Sequence, residues 1–581
     1  MDPKQIYNIW RKSVSRGDSK QLAKIEDNLE EIEDRFSTEL EFGTAGMRGE
    51  LGLGPARMNV YSVRRATQGI AMYIRELGDN AKKRGVVIAY DTRHMSREFA
   101  FEAAQVLSLD GIKVNIFEDV RPVPMLSFAV RFYEAMVGIM ITASHNPKEY
   151  NGYKVYGEDG AQMSPEATSE VVKYIEQQTW FRKKANASAH YGENTMGVNN
   201  ILLDKNTKVV SETPDNAYYE TVSKLTLSND TLNTFKGYNK IVYSPIHGSG
   251  KVPVITMLKK MGVDFAVVKE QLKPDPDFST VLVPNPENQD TMNMAIELAS
   301  KLKSELAMAT DPDCDRLGVA VLNKYGVYTL LTGNQIGVLL LDYILMRLSE
   351  QNMIPKNGAV VRSLVSTSLA DKIARGYGVT PFSVPTGFKF IGEKIKEWEI
   401  SGEYEYIFGF EESFGTLRGT HARDKDAVVG CMLVAEMYIY YKSIKKQIYE
   451  RLIELFEKYG YYVEKNITTV YKGIHGMKEM AEVIEKIRNL KINSIAGNKI
   501  ISVSDYKTGF KTNVANGITE PLNMPISNMI YWELEDGQFI CIRPSGTEPK
   551  LKIYVLACAE NKKIALDKAE LIGEETQKLC Q

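Results

Sequence analysis

GVVIAYDTRHMS, residues 85–96, is a β-branched run that ends in a polar loop, and the order of elements it begins decides the fold. A helical pattern comes next (FAFEAAQVLSLDG, 99–111), then a strand (IKVNIF, 112–117), Pro122 and Pro124, and a further apolar run ending in polar residues (AMVGIMITASHN, 135–146). The same order returns in NKIVYSPIHGSG (239–250), VPVITMLKKMG, VDFAVV, Pro284 and Pro286, and ELAMATDPDCDR (305–316). It returns again in GAVVRSLVSTS (358–368), LADKIARGYG, VTPFSV, Pro385 and YEYIFGFEESFG (404–415). After each first helix a glycine (Gly111, Gly262, Gly378) suits a left-handed cap before the return strand. Short, nearly continuous apolar strands alternating with helices predict buried, mixed but largely parallel sheets.

Working outward, the expectation is three related α/β domains, over 1–208, 209–325 and 326–446. From about residue 447 one helical segment precedes several strand-like runs and a final helix, which predicts a smaller C-terminal α+β domain over 447–581. A length of 581 residues accommodates several cores. In open α/β sheets ligands sit beyond the carboxyl ends of strands, so the polar loops should line a central cleft. Net charge is only −2, which leaves no bulk basic field for nucleic acid or an anionic membrane. Five scattered cysteines read as reduced thiols, and GVLLLDYILM (337–346), the greasiest stretch, is broken by Asp342. A soluble cytoplasmic protein is expected.

The loops carry the chemistry. TASHNP (142–147) offers Ser144 beside His145 outside any GxSxG context, and Lys154 comes soon after in NGYK. DPDCDR (311–316) sets Asp311, Asp313 and Asp315 at alternate positions, where a curl at Pro312 gathers hard oxygen ligands of the kind Mg²⁺ takes. Arg316 and Leu322 stand where an EF-hand needs Gly and Glu. GFEESFG (409–415) places Glu411, Glu412 and Ser413 at a strand end, with His421, Arg423 and Lys425 shortly after. RPSGTEPK (543–550) offers the Arg543 fork with Ser545, Gly546 and Thr547 as a phosphate cradle unlike a Walker loop. FGTAGMRGELG (42–52), with Arg48 among four glycines, suits backbone lying close to a ligand.

In this order and spread over most of the chain, the loops resemble those of the α-D-phosphohexomutase family, closest to its phosphoglucomutase and phosphopentomutase branch. PTGFKFIG (385–392), with Thr386, Gly387 and Lys389, strengthens that likeness, while Phe410 departs from the Gly-Glu start of many sugar loops. The resemblance implies an intramolecular phosphotransferase in which Ser144 carries a phosphate. It implies Mg²⁺ held by Asp311, Asp313, Asp315 and an oxygen on Ser144, with Arg316 beside it. Sugar contacts fall to Thr386, Gly387, Lys389, Glu411, Ser413 and Arg423, and the resting phosphate to Arg543, Ser545, Gly546 and Thr547. Lys154, His145 and Arg48 are the candidates for handling the hydroxyl proton. Glucose 1-phosphate and glucose 6-phosphate are the expected substrates, through glucose 1,6-bisphosphate, with mannose or pentose phosphates as alternatives. A monomer or homodimer that binds only small sugar phosphates is expected. A haloacid-dehalogenase-like phosphatase using Asp311, or a sugar-phosphate-binding regulator without catalysis, are the rival classes.

Overall fold

The computed structural model describes residues 2–43, 46–181, 205–234, 240–471, 476–545 and 550–581. Its first sheet has six strands in the spatial order Gly46–Glu50, Tyr150–Tyr156, Val137–Ile141, Val86–Tyr90, Val114–Phe117 and Thr207–Val210. The second has five, ordered Tyr328–Leu330, Leu317–Leu322, Leu306–Thr310, Ile241–Ser244 and Phe265–Val267. The third has four, ordered Thr380–Val384, Gly358–Ser363, Glu405–Phe410 and Thr416–Arg418.

One plan runs through all three. The opening strand (Val86–Tyr90, Ile241–Ser244 or Gly358–Ser363) pairs in parallel with both neighbours. The strand that ends in a motif loop then turns back as an antiparallel partner: Val137–Ile141 with Tyr150–Tyr156, Leu306–Thr310 with Leu317–Leu322, Glu405–Phe410 with Thr416–Arg418. TASHNP, DPDCDR and FEESFG therefore occupy the same topological corner of three sheets. Val86, Val87, Ile88 and Ala89 are fully buried, as a strand covered on both faces requires. Gly111, Gly262 and Gly378 take the expected left-handed φ of 73°, 69° and 74°.

The remaining sheet is antiparallel, runs from Tyr461 to Ala559, and is covered by the helices Gly476–Arg488 and Lys562–Leu579. Two edge strands move the divisions read from composition: Thr207–Val210 carries the first sheet past residue 208, and Tyr328–Leu330 carries the second past 325. Edge pairing leaves little trace in composition, because one side of such a strand has no partner to bury it. Among the described residues no single helix is long and apolar enough to cross a membrane. The N-terminal helices Pro3–Ser13, Arg16–Ala23 and Leu29–Phe36 form a unit that no sequence motif announces. They dock Tyr7, Trp10 and Phe36 against Tyr61, Trp180 and Phe181 of the first domain.

Asp342 explains why the apolar run is interrupted. It is 1% exposed on the helix Gly333–Glu350 and receives Arg451 of Ile448–Tyr459 as a fork, Nε to Oδ2 at 2.8 Å and Nη2 to Oδ1 at 2.9 Å. Removing one member of such a pair leaves a buried charge uncompensated. Arg451→Ala should lower stability by about 3 kcal/mol in the first urea transition, while Asp342→Leu with Arg451→Leu should recover most of it. A loss under about 0.5 kcal/mol in the single variant would show that the pair ties nothing.

Candidate active site

The DPDCDR loop is gripped through its backbone by all three α/β domains. Val123 donates its N–H to Asp313 O (3.0 Å), Ser249 to Pro312 O (2.8 Å) and Ala427 to Cys314 O (3.3 Å). Leu317 N–H binds Phe414 O at 3.1 Å, joining this loop to the FEESFG loop. Cys314 adopts a left-handed φ of 52°, which curls the chain so that the aspartates on either side face one point. Its own thiol is buried and held protonated by desolvation.

One carboxylate oxygen from each of Asp311, Asp313 and Asp315 falls within 4.8 Å of the others. Asp311 and Asp313 are fully buried and Asp315 is 2% exposed. Asp311 Oδ1 accepts the N–H groups of Asp315 (3.1 Å) and Arg316 (3.0 Å), and its Oδ2 accepts the Ser144 hydroxyl (2.8 Å). Burial and repulsion from Asp313 push the Asp311 pKa well above the ordinary range, and burial with Asp313 raises that of Asp315. Burial also works to raise Asp313, but Lys154, 2.9 Å from its Oδ2, a hydrogen bond with Asp311 and the charge of Lys425 together hold this carboxylate below its usual range.

Asp313 Oδ1 and Asp315 Oδ1 are buried without a hydrogen-bond partner. Buried carboxylate oxygens are seldom left so, because desolvation is then uncompensated. Three converging hard oxygens with two orphaned neighbours are a donor set that fits a divalent cation such as Mg²⁺. The expected metal ligands thus come together, with Ser144 Oγ against them.

Ser144 is 4% exposed and itself left-handed, with φ 52°, a strained setting for a residue with a Cβ. Its N–H is fixed by Thr142 Oγ1 at 2.8 Å, and His145 Nδ1 stands 3.2 Å from its hydroxyl. Burial, then Arg316 and Arg48, push His145 down to about 2, so the imidazole is neutral. Since Ser144 gives its one proton to Asp311, His145 donates to Oγ in this arrangement. Arg48 sits on Gly46–Glu50 opposite Gly152, hydrogen-bonded to Asn146 Oδ1 at 3.1 Å. Its pKa is lowered, burial leading, although its side chain still reaches solvent. Burial works to lower the pKa of Arg316, but Glu287, with which it pairs, and the three aspartates together raise it.

The third-domain loops meet each other. Gly387 donates its N–H to Glu411 Oε1 at 2.8 Å, and Thr386 lies in the same turn ahead of the helix Phe388–Ser401. Burial pushes Glu411 up to about 7, with Lys425 opposing and Glu412 adding. Glu412 accepts from Ser363 Oγ at 2.8 Å, and the neighbouring Ser413 is half-buried. Lys389 lies with its Nζ 4.9 Å from the Phe390 ring, and burial lowers its pKa.

One expectation meets a different structure. Arg423 is 1% exposed and is turned away from the aspartates, donating to Thr420 O and pairing with Glu399. Lys425, two residues on, takes the place next to the metal loop, 3.1 Å from Asp315 and 3.0 Å from Asp424. Burial opposes its charge, but Asp315, Asp424 and Glu411 raise its pKa. The segment bends at Arg423 and Asp424 rather than running extended, which sends the two side chains apart, and the sequence alone does not show that bend. Arg543 is exposed at the end of Phe539–Pro544, and Ser545 N–H closes the turn on Lys550 O at 2.7 Å. Gly546 and Thr547 lie outside the described residues. Asp91, Arg93, Glu287 and Asp424 also border the cluster and had no motif to announce them; for Asp91 and Arg93 the one signal was a polar pair at a strand end.

Three family models match the chain: phosphoglucomutase/phosphomannomutase α/β/α domain I over residues 39–182, domain II over 216–324 and domain III over 332–459. A phosphoglucomutase of Staphylococcus haemolyticus is 37% identical over 531 residues, covering 91% of this chain and 92% of its own. One of Staphylococcus saprophyticus is 33% identical over 560 residues, covering 95% and 96%. Among solved structures, the exocytosis-sensitive phosphoprotein parafusin of Paramecium, a phosphoglucomutase, shares the fold with a TM-score of 0.64 at 18% identity, covering 94% of this chain and 95% of its own. A phosphoglucomutase/phosphomannomutase family protein of Burkholderia thailandensis also matches at 0.64, with 16% identity and coverage of 93% and 96%.

Glu411 supplies a test of the site's electrostatics. Its folded pKa of about 7 lies above the 4.5 of an ordinary glutamate, so the folded chain keeps a proton that the unfolded chain has released. Stability from this group is therefore lost as pH rises from about 4.5 to about 7. Glu411→Gln should melt higher than the parent at pH 8, with the gap shrinking by pH 5. A constant gap across that range would place Glu411 in a more solvated setting.

Proposed function

This chain belongs to the α-D-phosphohexomutase family, on its phosphoglucomutase branch, and is a phosphotransferase of the isomerase class, and from that premise we propose that it interconverts glucose 1-phosphate and glucose 6-phosphate through a phosphorylated Ser144. The observation that carries the reading is Ser144 Oγ at 2.8 Å from Asp311, against three buried carboxylates with orphaned oxygens. A phosphoryl carrier belongs beside such a cluster, because phosphoryl transfer depends on positioning and on neutralising charge.

Mg²⁺ held by Asp311, Asp313, Asp315 and an oxygen on Ser144 would supply positive charge to the transferring group. The chain's own residues do the rest. The phosphoryl group on Ser144 passes to the C6 hydroxyl of glucose 1-phosphate, the P–Oγ bond breaking as the new P–O bond forms. The products of that half are glucose 1,6-bisphosphate and a free serine. The bisphosphate turns end over end and returns its other phosphoryl group to Ser144, releasing glucose 6-phosphate. Arg316 adds charge around the transferring oxygens, and Lys154, His145 and Arg48 are the candidates for handling the attacking hydroxyl's proton. Glu411 and Ser413, braced by Gly387, hold the sugar in either orientation. Arg543, Ser545, Gly546 and Thr547 receive the phosphate that is not moving. The setting is the cytoplasm.

A coupled assay with glucose 1-phosphate, Mg²⁺ and a trace of glucose 1,6-bisphosphate tests this. The native chain should form glucose 6-phosphate, and Ser144→Ala should fall at least about 1,000-fold, as expected when a covalent carrier is removed. Chelation should abolish turnover and added Mg²⁺ restore it. Full activity in Ser144→Ala would move the carrier role to Asp311, and inactivity of the native chain on glucose, mannose and ribose phosphates would leave a binding protein.

A further inference from the structure

We infer that Arg93 is a positioning residue for the phosphoryl-carrying serine, and that Phe278, supplied by the second domain, is the cap that holds Arg93 in place. The inference rests on the Ser144 carrier reading and adds residues that lie outside the motif loops.

Ser144 needs help to stay where it is. A left-handed φ at a residue with a Cβ persists only when its surroundings over-determine it. Part of that help is the N–H bond to Thr142; the rest comes from the carbonyl side. Arg93 Nη2 donates to Ser144 O at 2.6 Å and to Asn146 O, while Nη1 donates to Pro147 O at 2.8 Å and Tyr150 O at 3.1 Å. One guanidinium thus gathers four carbonyls from the turn that carries the nucleophile. The planar fork of arginine spans such a set, whereas an ammonium is a point charge with no plane.

Arg93 is fixed in turn. Its Nε lies 3.3 Å from Asp91 Oδ2, and both side chains are fully buried. The same Asp91 oxygen accepts the Thr142 hydroxyl at 2.7 Å, so the Asp91–Arg93 pair holds both ends of the Ser144 turn. The face of the guanidinium is covered by Phe278, with the ring centroid 5.0 Å away and the residue 1% exposed. Phe278 itself is held at φ 47°, in a tight turn where Asp275 accepts the N–H groups of Asp277 and Ser279, each at 3.0 Å.

This strap is tied to the metal loop. His247 contacts Lys273 O at 2.9 Å and Thr280 Oγ1 at 2.8 Å, at the two ends of the strap. Two residues later Ser249 holds Pro312 O. Gly248 between them packs so closely on Pro312 that an added Cβ would come within 2.5 Å of its Cα. One short segment of the second domain therefore fixes the aspartate loop and the cap over Arg93 together. The separation of Ser144 from the aspartates is set across a domain boundary rather than within one domain.

The test compares Arg93→Lys, Arg93→Ala and Phe278→Leu with the native enzyme. It measures kcat and KM for glucose 1-phosphate, the melting midpoint, and the rate at which glucose 1,6-bisphosphate phosphorylates Ser144. Arg93→Lys should lose about a hundredfold in kcat and in the phosphorylation rate with KM within about twofold, the pattern of a misplaced reacting group. Phe278→Leu, which keeps an apolar filler, should lose about tenfold in kcat, and added guanidinium should restore Arg93→Ala at least about tenfold. The inference is overturned if folded Phe278→Leu keeps native kcat, or if every loss tracks the folded fraction and guanidinium restores nothing. Should the Arg93 variants fail to fold, Phe278→Leu alone decides. Ser144→Ala run alongside separates the premise: full activity there overturns the carrier reading, whereas an inactive Ser144→Ala with unimpaired Arg93→Lys and Phe278→Leu overturns the positioning role alone.

Discussion

Three carboxylates crowded into a dry loop repel one another, and the rest of this molecule is arranged around that fact. Asp311, Asp313 and Asp315 are at most 2% exposed, and burial with mutual repulsion raises the first and the last. Lys154 and Lys425 offset part of the charge from two different domains. Backbone donors from Val123, Ser249 and Ala427 stop the loop from relaxing outward. Two carboxylate oxygens still lack partners. A cluster that remains unsatisfied after so much compensation fits a positive charge from outside the chain.

The repeated sheet plan is what makes such convergence possible. Each α/β domain delivers one polar loop at the turn between a strand and its antiparallel return, so three loops of one topological origin come into contact. The division of labour reflects what each loop carries: a hydroxyl at Ser144, carboxylates at 311–315, and a carboxylate–amide pair at Glu411 and Gly387. The antiparallel fourth domain has a different architecture.

Much of this was legible in the sequence, for identifiable reasons. Continuous apolar strands, cap glycines and motif loops are local signals, and they predict three α/β units and the members of the aspartate cluster. What escapes a sequence reading depends on pairing between distant segments. Arg93 looks like any polar residue after a strand until four carbonyls of 144–150 are seen around it. Asp342 looks like an interruption, and only Arg451, more than a hundred residues away, explains it. The choice between Arg423 and Lys425 hangs on a bend at Arg423 and Asp424, which short motifs do not show. The edge strand Thr207–Val210 shifts one domain limit for the same reason: its partner, Val114–Phe117, lies far back in the chain.

Calorimetric titration of Mg²⁺ into the metal-free chain, with Asp313→Asn as the comparison, decides whether the aspartate cluster is a cation site. One ion per chain is expected in the parent. Affinity should be at least about a hundredfold weaker in Asp313→Asn, since a ligand carboxylate is replaced by a neutral group of the same shape. No binding by the parent, or equal affinity in Asp313→Asn, would contradict a cation site at these carboxylates.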